Sequence, residues 1–223
     1  MEGSEAEIRR QCGAIGAGRY ELGVLGPDGR MLIERRTEEA IVARRGWLAR
    51  RNGMGAHVYV RPLGSVGVVL VDDVSRESLR TMGREGVVPA TVVQTSPDSY
   101  QAWVRVAAGP IPEAEATAVA RLLAERYGGD TRAASWRHFG RLAGFMNVKA
   151  CHRREDGTYP WARVRSAMGG VAPAGDALLM EARALLASGV DHRASMVEGG
   201  GLRGLGDAQE VRAALEGRGG AGA

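Results

Sequence analysis

The sequence predicts an α+β fold, with one mixed domain over residues 1–170 and a helical segment with a disordered glycine-rich tip over 171–223. Three observations predict it. Short β-rich runs are separated by Asp-Gly and Ser-Pro-Asp-Ser turns, the pattern of antiparallel hairpins. Capped, amphipathic segments of helical length fall between those runs. The composition then shifts after residue 170. With 223 residues, 44% hydrophobic and 25% charged, the chain can bury a sizeable core.

Residues 5–15 read as a short helix. RYELGVL (19–25) and RMLIERR (30–36) read as a hairpin around PDG (27–29). TEEAIVARRGWLARRNG opens on a Thr cap with early glutamates and closes on Asn52-Gly53, which predicts one helix over 37–53. HVYVRP (57–62) and GVVLVDD (67–73) are strands, and the second, apolar on both faces, is expected to be central. SRESLRTMGREG is a short helix capped by Ser75. ATVVQTS and SYQAWVRV are strands flanking the SPDS turn. PEAEATAVARLLAERYGG is an amphipathic helix that opens on Pro112 and ends in glycines. TRAASWRHFGR (131–141) reads as a helix and GFMNVK (144–149) as extended. A smaller hairpin at Asp156-Gly157 leads to WARVRS, and two helices, PAGDALLMEARALLASG and DAQEVRAALEG, follow.

No apolar run approaches the roughly 20 residues of a membrane span, and the charged N-terminus lacks a secretory apolar stretch. The expectation is a cytoplasmic protein with no membrane partner. Cys12 and Cys151 form no CxxC pair, which fits a reducing compartment and argues against structural zinc. The net charge of +4, carried almost wholly by arginine, hints at a polyanionic partner. Lys149 is the sole lysine. Both phenylalanines, Phe139 and Phe145, and Asn147, one of two asparagines, share its segment, HFGRLAGFMNVK. Such clustering of scarce residues singles the segment out.

GVVLVDD runs four apolar residues straight into two adjacent carboxylates, Asp72 and Asp73. Burying one unpaired carboxylate is costly, and a second beside it adds repulsion. Two readings are open. The strand can end at Asp72, with Asp73 starting a turn and Ser75 capping the next helix. Alternatively the pair binds divalent metal, which removes the repulsion. Adjacent residues on a regular strand point to opposite faces, so both reach one metal only if the strand ends or bulges there.

QTSPDSYQAW (94–103) reads as a hairpin turn, or as a pocket wall in which Ser96, Tyr100 and Gln101 face a nucleotide. GGDTRAASWRHFGRLAGFMNVK (128–149) adds Asp130, then Arg132, Arg137, His138, Arg141 and Lys149. Cationic groups beside metal-binding acids complement a nucleoside triphosphate. The alternative is a solvated basic helix. His57, His152 and His192 read as surface or core residues. No P-loop, GxSxG or His-apolar-His pair is present, and GAIGAG (13–18) has the wrong spacing for a dinucleotide loop.

In this order, GVVLVDD, QTSPDSYQAW, GGD and RHFGRLAGFMNVK resemble the RepB-type primases of mobilisable plasmids, members of the archaeo-eukaryotic primase superfamily. RYELGVLGPDGRM, WLARRN, HVYVRP and TYPW match the same layout, so the likeness covers roughly residues 8–170. It implies a core with a sheet like an RNA-recognition motif, and metal-dependent synthesis of short primers on single-stranded DNA. It implies that Asp72, Asp73 and Asp130 are catalytic and hold Mg²⁺ or Mn²⁺ in a two-metal site. Nucleotide contacts would come from Ser96, Gln101, His138, Arg141 and Lys149, with Asn147 ordering its loop. Gln101 stands where many superfamily members place the histidine of a Ser-x-His motif, a departure RepB-type members share. A second departure is the C-terminal region, where about two helices follow the core instead of a longer helical one. Trp136 and Trp161 could stack on bases, although packing inside the fold is the commoner fate of tryptophan.

The implied function is a monomeric DNA primase in plasmid replication, with template DNA, nucleoside triphosphates and a plasmid helicase or relaxase as partners. The alternatives are an inactive single-strand or origin-binding module, and a nucleotide-dependent regulatory domain. The presence of all three acids favours the enzyme, because unneeded buried charges are readily lost.

Overall fold

The computed structural model describes residues 2–189. The segment expected to form the last helix, the glycine-rich end and His192 lie outside the described residues. In chain order the elements are α1 (Glu2–Ile15), β1 (Tyr20–Leu25), β2 (Met31–Arg36), α2 (Glu38–Ala43), α3 (Arg45–Gly53), β3 (His57–Pro62) and β4 (Val68–Val74). Then follow α4 (Arg76–Arg84), β5 (Thr91–Ser96), β6 (Ser99–Arg105), α5 (Glu113–Tyr127), β7 (Gly140–Arg141), a 3-10 turn (Ala150–His152), β8 (Arg163–Ala167) and α6 (Gly175–Ala187).

The strands form two antiparallel sheets, ordered β2-β1-β3-β7 and β4-β6-β5-β8. The second sheet has the βαββαβ succession of an RNA-recognition motif, with its closing strand β8 beside β5. Each face of this sheet covers a core. Ile8, Leu22, Leu48 and Val60 pack with Leu70 and Trp103 on the side of the first sheet and α1–α3. Val69, Val71, Met82, Leu123 and Leu178 pack on the other side under α4–α6. Alternation along β4 sends Val68 and Leu70 into one core and Val69 and Val71 into the other.

The expectation that β4 is a central strand is therefore corrected. By hydrogen bonding β4 is the end strand of its sheet, paired only with β6 among the named strands. It reads as apolar on both faces because the sheet lies between two cores. Its far side is covered in part by the chain after α5, where the Asp130 amide donates to the Asp72 carbonyl at 3.0 Å. At the other end, β8 is protected by α1. The Val164 amide donates to Glu7 Oε2 at 2.6 Å, and Arg10 Nη1 donates to the Val164 carbonyl at 3.2 Å.

Two further expectations change. The helix predicted over 37–53 divides at Arg44, which turns the chain so that Ile41, Val42 and Leu48 all reach the first core. Gly46 in the first turn of α3 lowers the propensity to continue straight through. The helix predicted over 131–141 is a succession of turns ending in β7. Here Asp130 Oδ1 accepts from the Arg132 amide at 2.9 Å, and Ser135 Oγ from the Arg137 amide at 3.1 Å. Side chains that capture nearby amides in this way compete with the helical ladder.

Helix α6 packs on α5 and contributes Leu178, Leu179 and Ala182 to the second core. Among the described residues no helix is long and apolar enough to cross a membrane.

Candidate active site

Asp72 and Asp73 lie in a β-bulge. Val71 of β4 pairs with Ala102 and Val74 with Tyr100, so both acids stand opposite the single residue Gln101. Asp73 adopts a left-handed backbone with φ 58°, a region that Asp tolerates better than most side chains. The bulge breaks the strict alternation of the strand, and both carboxylates line one cavity of about 420 Å³. This meets the geometric condition that the sequence imposed on a shared site.

Asp72 is the better held of the two. Oδ1 accepts from Gln101 Nε2 at 3.0 Å and from the Asp73 amide at 2.8 Å. Oδ2 lies 3.2 Å from His138 Nε2, which donates if Asp72 is ionised. Burial alone would raise the Asp72 carboxyl, but His138, Gln101 and the Asp73 amide outweigh it and hold the group below its ordinary value. Asp73 Oδ1 accepts from Ser99 Oγ at 2.7 Å, and its side chain stays exposed.

Two glycines permit this assembly. A Cβ on Gly129 would meet the Asp72 carbonyl at 2.8 Å, so only glycine lets the chain after α5 lie against β4 and deliver Asp130. A Cβ on Gly140 would meet the Trp103 ring at 2.4 Å. That close approach brings β7 beside Gln101, whose Oε1 accepts from the Arg141 amide at 2.8 Å. Gln101 thus joins the acidic bulge to the basic segment, with its side chain 3% exposed.

The eight residues that the family resemblance marks as catalytic or nucleotide-binding line this one cavity: Asp72, Asp73, Ser96, Gln101, Asp130, His138, Arg141 and Lys149. Tyr100, expected in the same wall, packs into the second core instead, with its hydroxyl accepting from Arg76 at 3.1 Å. Arg141 is 5% exposed; Nη1 donates to His57 Nδ1 at 3.1 Å, and its guanidinium lies 5.3 Å from the Tyr59 ring centre. The Lys149 amide donates to Asn147 Oδ1 at 3.3 Å, while Asn147 Nδ2 donates to the Thr95 carbonyl at 3.0 Å. Asn147 therefore ties the lysine loop to the β5 end. Arg132 and Arg137 do not line the cavity.

The sequence reading missed Ser99, His152 and Tyr59, which line the cavity, and His57, which supports Arg141. The Ser99-Tyr100-Gln101 spacing was a usable signal for the first. The two histidines carry none, since each is brought in by tertiary packing. The acids supply oxygen donors, which suit a hard divalent cation. Among the described residues, however, no three His, Cys, Asp or Glu side chains close around a common ion position.

Residues 12–173 match the family model described as the RepB DNA-primase N-terminal domain. The chain belongs to the RepB primase family. Mobilization protein A of Escherichia coli is 42% identical over 178 residues, 78% of this chain and 25% of that protein. This chain thus corresponds to about a quarter of that relative's length. The catalytic domain of primase RepB′, solved in complex with initiator DNA, superposes with a TM-score of 0.77 at 37% identity, covering 86% of this chain and 99% of that one. The archaeo-eukaryotic primase domain of a cyanophage primase-polymerase shares the fold, with a TM-score of 0.58 at 14% identity over 78% of this chain and 96% of that one. The α+β primase core expected from the sequence is the observed fold.

Proposed function

We propose that this RepB-family domain is an active DNA primase that joins nucleotides into short primers on single-stranded DNA. The observation that carries the reading is the bulge at Asp72-Asp73, which places both acids in one cavity with Asp130, His138, Arg141 and Lys149. The DNA-bound RepB′ catalytic domain supports DNA as the template.

In the reaction, a 3′-hydroxyl oxygen attacks the α-phosphorus of a nucleoside triphosphate. The new P–O bond forms as the bond to the β-phosphate oxygen breaks, and pyrophosphate leaves. Gln101 and His138 orient Asp72 and keep it anionic. Asp73 and Asp130 would add the further carboxylates to hold a cation beside Asp72. His138, Arg141 and Lys149 offset the charge of the triphosphate. Ser96 and the adjoining turn close the wall of the nucleotide pocket. A divalent cation, Mg²⁺ or Mn²⁺, is the cofactor the family implies; when bound it polarises the phosphate and favours the ionised hydroxyl.

The test is primer synthesis on single-stranded DNA with labelled dNTPs and Mg²⁺ or Mn²⁺, comparing wild type with Asp72→Ala/Asp73→Ala. Short, cation-dependent products from wild type and none from the variant are expected. DNA binding without product from either protein would instead support a binding module.

A further inference from the structure

A second groove of about 350 Å³ opens beside the active-site cavity and shares Ser96 and Pro97 with it. Its lining includes Arg154, Arg163 and Arg165, with no carboxylate among the described lining residues. Trp161 stands in it 45% exposed, against the expectation that both candidate tryptophans pack inside the fold. Trp136 does pack, partly buried against the second core.

The Trp161 backbone is tied to the chain that follows β7. It bridges to Met146, with the neighbouring Ala162 amide donating to the Phe145 carbonyl at 2.8 Å. Trp161, Arg163 and Arg165 alternate along one exposed face, while Ala162 and Val164 point into the fold. The Arg163 guanidinium lies 5.5 Å from the Trp161 ring centre. Arg165 Nε donates to Gln94 Oε1 at 2.8 Å, a neutral partner that positions the guanidinium without cancelling its charge. β8 bulges at Arg165, where Val92 pairs with Ser166 and Val93 with Val164, and Arg163 and Arg165 both stand exposed beside Trp161 within reach of the phosphates of one extended strand.

An exposed aromatic beside arginines is the chemistry that takes unpaired nucleic acid: rings stack on bases and guanidinium groups hold phosphates. Arg154 at the rim also faces Asp156, so Arg163 and Arg165 carry most of this charge. We propose that this groove seats the single-stranded DNA template as it enters the site, with a base stacked on Trp161 and the backbone held by Arg154, Arg163 and Arg165. The proposal rests on the primase reading and adds the path of the template. Because Ser96 and Pro97 border both spaces, a base stacked at Trp161 lies next to the position where the incoming nucleotide would pair.

The experiment measures binding of a short labelled single-stranded oligonucleotide by fluorescence anisotropy across a salt series. It compares wild type with Trp161→Ala, Trp161→Phe and Arg163→Gln/Arg165→Gln, alongside calorimetry of dNTP binding with Mn²⁺. Trp161→Ala should bind at least about tenfold more weakly, and Trp161→Phe should recover most of the loss. The double arginine variant should show a shallower salt dependence, by about 0.7 in the logarithmic slope for each phosphate contact removed. Nucleotide binding should match wild type throughout. Oligonucleotide binding within twofold of wild type in both the alanine and double arginine variants overturns the proposal. So does equal affinity of wild type for duplex DNA, or a parallel loss of nucleotide binding in Trp161→Ala. If wild type makes no primer yet binds the oligonucleotide in a Trp161-dependent way, the primase reading fails and the groove stands.

Discussion

Asp72 depends on neighbours far away in sequence. Gln101 donates to its carboxylate while accepting from the Arg141 amide, so Gln101→Leu leaves both of those groups with one partner fewer. Leaving buried polar groups unsatisfied costs about 1–3 kcal/mol. The pH dependence has a definite sign. The folded value of Asp72 lies below its ordinary 3.8, so the stability it contributes is complete above that value and is lost as pH falls through the folded one. Denaturation of Gln101→Leu near neutral pH should therefore show that cost. The gap from wild type should narrow in acid, once Asp72 is protonated in both proteins. A gap that stayed constant with pH would show that Gln101 acts only on the Arg141 side. The acidic pair itself was legible in the sequence, because an apolar strand running into two carboxylates demands compensation. Gln101 was legible only by position in its motif, since nothing local shows that it joins Asp72, 29 residues before it, to Arg141, 40 residues after it.

At the scale of elements, the hairpins at PDG and SPDS were legible because period-two runs meet turn residues with defined chemistry. The smaller hairpin expected at Asp156-Gly157 is only a turn, flanked by an isolated bridge between Met146 and Trp161, and β8 pairs with β5 instead. The segment 131–139 was not, because its composition suits a helix while the Asp130 and Ser135 side chains take the amides that a helix would use. Tertiary contacts then hold the segment in place. Arg61 of β3 is ion-paired with Glu21 at 2.5 Å, donates to the Arg137 carbonyl, and lies 4.1 Å from the Phe139 ring centre. Its side chain is 5% exposed and that of Glu21 15%. Removing one partner of a buried pair costs about 3–5 kcal/mol, and residual contact of Glu21 with Arg35 at 3.7 Å places this pair toward the lower end. Arg61→Met should be destabilised on that scale, and amide exchange should quicken across residues 137–139. Adding Glu21→Gln should recover part of the stability, because the stranded charge is gone. If exchange at 137–139 is unchanged, Arg61 does not position the segment that carries His138. The status of β4 was also illegible, since a strand apolar on both faces reads the same whether other strands or two cores flank it.

Across the whole molecule, the cavity forms where the two sheets meet. The first sheet supplies Tyr59 and Arg141, the second supplies the bulge and Gln101, and the turns between α5 and β7 supply Asp130 and His138. The sequence marked the residues of the cavity in separate stretches, but their convergence depends on Gly129 and Gly140 allowing backbone approaches that no local pattern encodes. Helix α6 belongs to the same packed unit through Leu178 and Leu179, so a boundary drawn by composition at residue 170 cuts across a shared core. The central claim is that this convergence builds a polymerising site around the bulged acids. It is tested most directly by cation-dependent dNTP incorporation on single-stranded DNA, comparing wild type with Asp73→Asn, alongside their thermal unfolding. Asn tolerates the left-handed backbone at residue 73, so the melting temperature should be nearly unchanged. Incorporation should fall at least about 100-fold, as expected when a charged group at the reacting centre is removed. A stable Asp73→Asn protein that incorporates dNTPs at the wild-type rate would contradict the account.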